Sequence, residues 1–513
     1  MSALHEGLRK QLEKTVIQAR EVAEEGANAA LDRLGVGRAR AYEGLSSAES
    51  DLRVKLRAKG KQLGDIRKSS GEQDTQRLAV ELAYEYWHRM LFARFLAEND
   101  LLMHPDAGVS VSLSDCEELA CEEGLANGWL LAERWAARML PEIFRPADPL
   151  LQVPFAPEHE HALEKLLESL PAETFQASDS LGWVYQFWQA RRKAEVNKSG
   201  VKIGAEELSA VTQLFTEPYM VHYLLDNTLG AWWTARHPGE TPPVEFDYLR
   251  LREDGSPAAG TFDGWPKRVA ELKVLDPCCG SGHFLVAAFL KLVPLRMWEE
   301  GLTARDACDA VIRDNLHGLE IDPRCTQIAV FAVALTAWNY PASGGHRELP
   351  PLNIACSGTP VGTRKEQWLE LAGDNEALRG GLGRLHDLFS SAPVLGSLIN
   401  PRSQSQSDVL VASFDAVQPL LKAALASERT RGDAELSEVG VAAEGVAKSA
   451  RLLARTYDLV VTNVPYLGRG LQGTQLQMYC DQHYSDAKAD LATVLRSRQE
   501  VCKRTSGGGL LGG

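Results

Sequence analysis

The sequence has 513 residues, 44% of them hydrophobic and 24% charged. That is ordinary for a globular chain, suggests about three domains, and excludes collagen-like, low-complexity and wholly disordered readings. Lys and Arg number 55 against 69 Asp and Glu, a net charge of −14. Any nucleic-acid contact must therefore come from a local basic patch within an acidic whole.

The 9 cysteines are scattered, with only Cys278 and Cys279 adjacent. They form no CxxC pair and no zinc-ligand spacing, so they read as reduced thiols of a cytoplasmic protein without a metal site. The start, MSALHEGLRKQLEKTV, has no apolar core of a secretory signal. No apolar run reaches the ~18 residues of a membrane span. The nearest, Phe284 to Val293, contains Lys291 and is closed by Pro294.

In chain order, residues 1 to 130 read as helical. Leu78, Leu82, Tyr86 and Met90 lie four apart, with Trp87, Leu91 and Phe95 beside them, which predicts a wide core-packing face. Before it comes a basic cluster of Arg38, Arg40, Arg53, Lys55, Arg57, Lys59, Lys61, Arg67 and Lys68. It reads either as a solvated helix face or as a phosphate-contacting patch. A second helical block, Glu158 to Trp233, carries Trp183, Trp188, Trp232 and Trp233. In it Pro218 suits the first turn of a helix, with Thr216 as N-cap. HPGETPP and EDGSPAAG, within 234–268, are loop chemistry and suit a domain boundary or a long connection.

From Leu272 short apolar strands alternate with helices. LKVLD, NLHGLEID, LNIACSG and TYDLVVTN are the candidate strands, so the core is an α/β, doubly wound, mostly parallel sheet. Residues 361–455 read as a helical insertion, with Asp408–Ala426 as helical filler. Asp486 to Cys502 reads as a helix, followed by KRTSGGGLLGG without structure.

Three motifs carry chemistry. In Val274-Leu275-Asp276-Pro277-Cys278-Cys279-Gly280-Ser281-Gly282-His283-Phe284, a strand ends in an acid and a glycine turn that opens a helix. Open α/β sheets bind ligands at this position, although a glycine turn alone also makes an ordinary tight connection. It is not a dinucleotide fingerprint: the third glycine is missing, and Glu320 follows Asp276 at more than twice the usual ~20 residues. In Gly318-Leu319-Glu320-Ile321-Asp322-Pro323, Glu320 is placed to hold a ribose and Asp322 to cap a helix. The third motif is Asp458-Leu459-Val460-Val461-Thr462-Asn463-Val464-Pro465-Tyr466, a strand opening into an Asn-x-Pro turn.

DPCCGSGHFL, GLEIDP and TNVPY, in this order, resemble the amino-group DNA methyltransferases with an adenine-specific Asn-Pro-Pro-Tyr motif. With LGWVYQFWQ, KIGAEELSAVTQLFTEPYMV and AKADLATV, the chain more closely resembles the large methylases of phage defence (BREX and DISARM types) and type IIG restriction–modification. The likeness covers roughly Leu181 to Cys502.

The resemblance implies a Rossmann-like core after a large α-helical N-terminal region, and methyl transfer from S-adenosylmethionine to N6 of adenine in double-stranded DNA. Asn463, Val464, Pro465 and Tyr466 would be catalytic. Asp276, Gly280 and Gly282 would hold the cofactor's amino-acid part, Glu320 its ribose and Ile321 its adenine, with Pro277 and Phe284 also cofactor-binding. Phe215, Thr216 and Pro218 would close over the methionine moiety. Other defence or restriction subunits would be partners, with no membrane.

The implied division is a helical N-terminal domain (1–150), a helical block with the closing motif and connector (151–268), the first half of the core (269–360), the insertion (361–455) and the Asn-Val-Pro-Tyr half (456–513). Three departures stand out. Val464 replaces the first proline of the motif. Ser357 and Gly358 stand where the third strand usually offers an acid. The chain ends where the family continues, so the sheet is expected to be incomplete. Methylation of protein or RNA, and a non-catalytic binding remnant, are the alternative readings.

Overall fold

The computed structural model describes residues 4–144, 148–212, 216–402, 419–421, 423, 434–502 and 510–512. Phe215 and most of Asp408–Ala426 lie outside the described residues. Packing divides the chain into two units. The first comprises Met1–Arg191, Pro360–His386 and Pro419–Glu444; the second comprises Arg192–Thr359, Asp387–Gln418 and Gly445–Gly513.

The first unit is helical. Its framework is α1 (Glu6–Arg33), α2 (Ser47–Leu63) and α3 (Gln76–Glu98). In α1, Leu12, Val16, Ala19, Ala23, Ala27 and Ala30 recur at helical spacing and are buried. In α3 the whole expected face, Leu78, Leu82, Tyr86, Trp87, Met90, Leu91 and Phe95, is buried. Each such large side chain stabilises the fold by about 1.5–3 kcal/mol through apolar burial. Helix α2 starts in a capping box: the Ser46 hydroxyl accepts from the Glu49 N–H, and the Glu49 carboxylate accepts from Ser46. Gly64 ends it at φ 101°.

The basic cluster is neither a uniformly solvated face nor a simple row of free cations. Arg53, Arg57 and Lys59 are buried. Arg53 Nε donates to the Gly35 carbonyl at 2.9 Å and its Nη2 to the Arg38 carbonyl at 2.5 Å. Arg57 donates to the carbonyls of Val36, Arg38 and Gly71 at 2.6–2.7 Å. Lys59 pairs with Asp148 at 2.9 Å and Glu438 at 3.2 Å. Charge counting along the sequence cannot show that α2 turns these side chains inward. The loop carbonyls flanking α2 need donors, and a guanidinium satisfies several at once.

The second unit is built on a parallel sheet of β1 (Val274–Asp276), β2 (Leu316–Glu320), β3 (Ile354–Cys356), β4 (Leu459–Thr462) and β5 (Leu510–Gly512). The order is β3-β2-β1-β4-β5. Val274 pairs with Leu316 on one side and with Leu459 on the other. The chain winds outward from β1 through β2 to β3, then returns to place β4 against the other side of β1. The winding direction therefore reverses between β1 and β4. Strands β1, β2 and β4 are buried along their length, as expected of a parallel sheet covered by helices.

The expected strands are all present. One expectation is corrected: β5 follows KRTSGGG and pairs in register with β4, Val460 with Leu510, because β4 otherwise presents an open backbone edge.

Helix α4 (Pro218–Leu225) runs through a π-turn, Asp226–Gly230, before the long connection of 237–268. That connection lies inside the second unit. Asn227 donates to the Tyr248 carbonyl and accepts from the Arg250 N–H. Arg236 donates to the carbonyls of Thr261, Phe262 and Trp265. Lys291, from the apolar run of α5 (His283–Glu300), is buried against Asp226 at 2.7 Å. No helix among the described residues is long and apolar enough to cross a membrane.

The Arg57 contacts make a test of the first unit. Arg57→Met leaves the Val36 and Gly71 carbonyls without their side-chain donor, while Arg38 keeps Arg53, and is expected to lower local stability by about 2–4 kcal/mol. The readout is faster amide exchange at Gln73, whose N–H bonds the Gly37 carbonyl at 2.9 Å.

Candidate functional site

The site residues gather at the carboxyl ends of the strands. Asp276 ends β1 and Glu320 ends β2. Ser357 follows β3 and Asn463 follows β4. Strand geometry does this directly, since parallel strands in register deliver their terminal residues to one edge.

The loop after β1 is a tight turn. The Gly282 N–H bonds the Cys279 carbonyl at 2.8 Å, and the Cys279 N–H bonds the Leu319 carbonyl at 2.9 Å. Gly280 and Gly282 adopt φ of 51° and 90°, the left-handed region that glycine enters without penalty. A Cβ on Gly282 would also stand 3.0 Å from the Ala329 Cα, on α6 (Pro323–Asn339). Gly282 is therefore required for helix packing as well as for the turn.

Glu320 is buried and holds this loop. Its Oε2 accepts from the Gly280 N–H at 2.8 Å. Its Oε1 accepts from the N–H groups of Ile321 and Asp322 at 2.9 and 3.1 Å. Asp276, also buried, accepts from the Cys278 N–H at 3.2 Å. Burial pushes both carboxyls up to about 7, against the pull of these donors. Among the described residues neither carboxylate has a Lys or Arg partner. Burial also pushes the Cys278 and Cys279 thiols well up, so they stay protonated.

Asp322 caps α6 as expected, accepting from the Arg324 N–H at 2.9 Å. Thr216 does not cap α4. Glu217 occupies the cap position, without a side-chain bond. The Thr216 hydroxyl instead accepts from Asn463 Nδ2 at 3.1 Å, which joins the upstream motif to the Asn-Val-Pro-Tyr turn. Pro218 opens α4 and is exposed. Val464 is buried, Pro465 half-buried and Tyr466 52% exposed. Phe284 and Pro277 are buried under the loop, and Ile321 is half-buried.

Ser397 carries no sequence signal of its own, and Asp490, within AKADLATV, is expected from sequence only as part of a helix. Ser397, within the presumed insertion, donates to the Pro277 carbonyl at 2.5 Å and lies 3.4 Å from the Ser357 hydroxyl. Beside it Gly396 has φ 48°, and a Cβ there would meet the Ile321 side chain at 3.0 Å. Asp490 braces the turn after Tyr466. It accepts from the Ala492 N–H at 2.9 Å and the Leu467 N–H at 3.4 Å. Ser357 is fully buried and bonds the Glu320 carbonyl through its N–H and hydroxyl, at 2.6 and 3.1 Å. It braces β2 and does not offer an acid to a ligand.

This geometry suits a cationic ligand with hydroxyls. Two buried carboxylates stand without a counter-cation at a winding reversal, under a glycine turn and a helix start.

Residues 258–347 match the family model of the MmeI DNA-methyltransferase domain. The chain is 27% identical over 482 residues to the adenine-specific methyltransferase BrxX of Escherichia coli O9:H4 (strain HS), covering 83% of this chain and 39% of that protein. It is 25% identical over 525 residues to the adenine-specific methyltransferase PglX of Lacticaseibacillus casei (strain Zhang), covering 91% and 42%. The PglX of Streptomyces coelicolor is 40% identical over 292 residues, covering 50% and 20%.

This chain is similar to the adenine-specific methyltransferases named BrxX and PglX. It spans about two fifths of the length of the first two, 39% and 42%. Among solved structures, a DrdV–DNA complex aligns at a TM-score of 0.42 and 12% identity, covering 96% of this chain and 34% of that one. The type ISP restriction–modification enzyme LlaGI, in complex with a DNA substrate mimic, aligns at 0.39 and 12%, covering 95% and 28%.

The raised carboxyls set a pH dependence. A folded-state value near 7, above the ordinary carboxyl range, means the folded chain binds more protons than the unfolded one between about pH 4 and 7. Stability from Asp276 and Glu320 is complete below that window and is lost as pH rises through it. Urea denaturation of the ligand-free chain is expected to show this fall, and Glu320→Gln to remove its share.

Proposed function

We propose that this chain binds S-adenosylmethionine and transfers its methyl group to N6 of adenine in double-stranded DNA, within a phage-defence or restriction–modification system. The observation that carries the reading is the pairing, across neighbouring strands, of an uncompensated acidic pocket with an amide held at the next strand end. Asp276 would face the cofactor's ammonium, and the buried charge it carries is what a cation compensates. Glu320 already accepts three N–H bonds, leaving about one of its four acceptor positions for a ribose hydroxyl. Ile321 would pack on the adenine ring. The turn of Pro277, Gly280 and Gly282, seated over Phe284, would hold the amino-acid part. Thr216 and Pro218 would close that end, with Phe215. When bound, the sulfonium supplies an activated methyl group with a good leaving group.

The protein's own task is to position the amine. Adenine N6 is conjugated with its ring and is a poor nucleophile. Acceptors on its two hydrogens favour a pyramidal nitrogen with an available lone pair. Thr216 accepts from Asn463 Nδ2 and so holds the amide in place, with Oδ1 as its acceptor. The Val464 or Pro465 backbone carbonyl would be the second acceptor. Pro465 stiffens the turn, and the exposed Tyr466 ring is suited to stack on an extruded base. No strong base is needed, because holding the amine in line with the methyl does most of the work. Other subunits of such a system are the proposed protein partners.

Methyl transfer from labelled S-adenosylmethionine, compared on DNA, RNA and protein, tests the reading; label in protein or RNA but not in DNA overturns it. Asn463→Ala is expected to lower transfer by roughly 100–1,000-fold while cofactor binding is kept. Thr216→Val is expected to lower the rate with little change in cofactor affinity, and Thr216→Ser to restore it. Calorimetry adds a second readout. Affinity for the cofactor is expected to rise from about pH 6 to about pH 8 as the Asp276 carboxyl, raised to about 7, loses its proton. Asp276→Asn is expected to reduce that rise to the share of Glu320, whose carboxyl is also raised to about 7.

A further inference from the structure

The first unit carries a cationic surface that the methyl-transfer site does not use. The loop 34–40 and the hairpin 66–74 lie side by side. The Gln73 N–H bonds the Gly37 carbonyl at 2.9 Å, and a Cβ on Gly71 would touch Ala39 at 3.2 Å. The hairpin closes through Lys68 N–H to Glu72 and Asp74 N–H to Ile66, at 2.8 and 3.0 Å. Arg53 and Arg57 fasten the arrangement from within: both bond the 35–38 loop, and Arg57 also bonds Gly71.

Arg38, Arg40, Arg67 and Lys68 are exposed on these two loops. Arg38 lies 4.0 Å from Asp32 and stacks on Tyr42 at 4.5 Å, and Lys68 pairs with Asp74 at 3.3 Å. Among the described residues, Arg40 and Arg67 have no carboxylate partner. Glu72 is the exposed acid of the hairpin and accepts from Ser70. Asp65 is buried and accepts the N–H groups of Arg77 and Leu78. Burial holds Arg53 and Arg57 below the usual guanidinium range, helped by the positive charge of Arg67 on Arg53 and by those of Arg53 and then Arg67 on Arg57. The positive charge here is therefore not neutralised locally.

We propose that this two-loop surface, led by Arg40 and Arg67, contacts the phosphate backbone of duplex DNA. Guanidiniums bond phosphate oxygens in bidentate fashion, and the exposed Ser69 hydroxyl of the same hairpin suits that partner. An acidic peptide would also need apolar anchors, and Ile66 is the large exposed apolar side chain of the hairpin. The choice of DNA as the polyanion rests on the proposed function. The contact itself is backbone positioning and does not depend on methyl transfer.

The test measures affinity of the full chain for a short DNA duplex across a salt series. Arg40→Gln with Arg67→Gln is expected to weaken binding equally for different sequences. It is also expected to reduce the slope of log affinity against log salt by about 2. Cofactor affinity and the melting curve are expected to stay unchanged, since both side chains are exposed. An unchanged salt slope overturns the proposal, as does absence of duplex binding by the parent chain. Tighter binding to polyglutamate than to duplex, lost in the same variant, assigns the surface to an acidic protein and also overturns it. A parent chain that binds duplex through these residues but transfers no methyl group upholds the proposal and refutes the enzymatic reading.

Discussion

The second unit depends on one constraint: two carboxylates are buried at the end of a parallel sheet and held by backbone N–H groups, with the Thr462 side chain adding to Asp276. Glu320 reaches back to Gly280 at 2.8 Å and so ties the loop after β1 to the end of β2, beside the Cys279 N–H to Leu319 carbonyl bond. That tie requires the loop after β1 to turn with Gly280 and Gly282 in left-handed conformation. It also requires α5 and α6 to start close enough for Gly282 to meet Ala329. Ser357 and Ser397 then fasten the outer side, one on the Glu320 carbonyl and the other on the Pro277 carbonyl. A change that frees any of these carbonyls loosens the carboxylates, because the turn and the acids are held by the same bonds.

The sheet and its acidic edge were legible in the sequence for a physical reason. Buried parallel strands are short apolar runs, and β1, β2 and β4 each stop at a polar residue followed by Gly, Pro or both. Asp322 before Pro323 likewise follows local capping chemistry. Less legible were residues whose partner is far away in sequence. Thr216 looks like a cap because Pro218 follows it, yet its hydroxyl serves Asn463, 247 residues on. Ser397 has no periodic or motif signal and gains its place only when 387–400 folds onto the sheet edge. The basic cluster misleads for a related reason. Sequence shows the sign of Arg53 and Arg57 but not the loop carbonyls that draw them inward.

The Asn-Val-Pro-Tyr turn shows how a local substitution is accommodated. A second proline would stiffen the turn internally. With Val464 in its place, rigidity comes from outside the motif. Thr216 takes the Asn463 amide, the Val464 side chain is buried, and Asp490 accepts the Leu467 N–H just past Tyr466. The Arg469 N–H to Ala489 carbonyl bond, 3.0 Å, continues the same bracing. Helix α7 (Leu491–Cys502) begins right after Asp490, so AKADLATV belongs to the turn as much as to the helix.

The two units solve the problem of buried charge in the same way with opposite signs. Glu320 is held by three N–H groups, and Asp276 by the Thr462 side chain and one N–H group, rather than by cations. Arg53 and Arg57 are satisfied by carbonyls rather than by carboxylates. A counter-ion would cancel the charge it stabilises, whereas a backbone dipole stabilises a buried charge and leaves its sign intact. The acidic edge thus keeps a negative potential for a cationic ligand, and the two-loop surface keeps a positive one, in a chain of net charge −14. The backbone geometry of both places, glycine turns included, is therefore as much a part of their binding chemistry as the charged side chains.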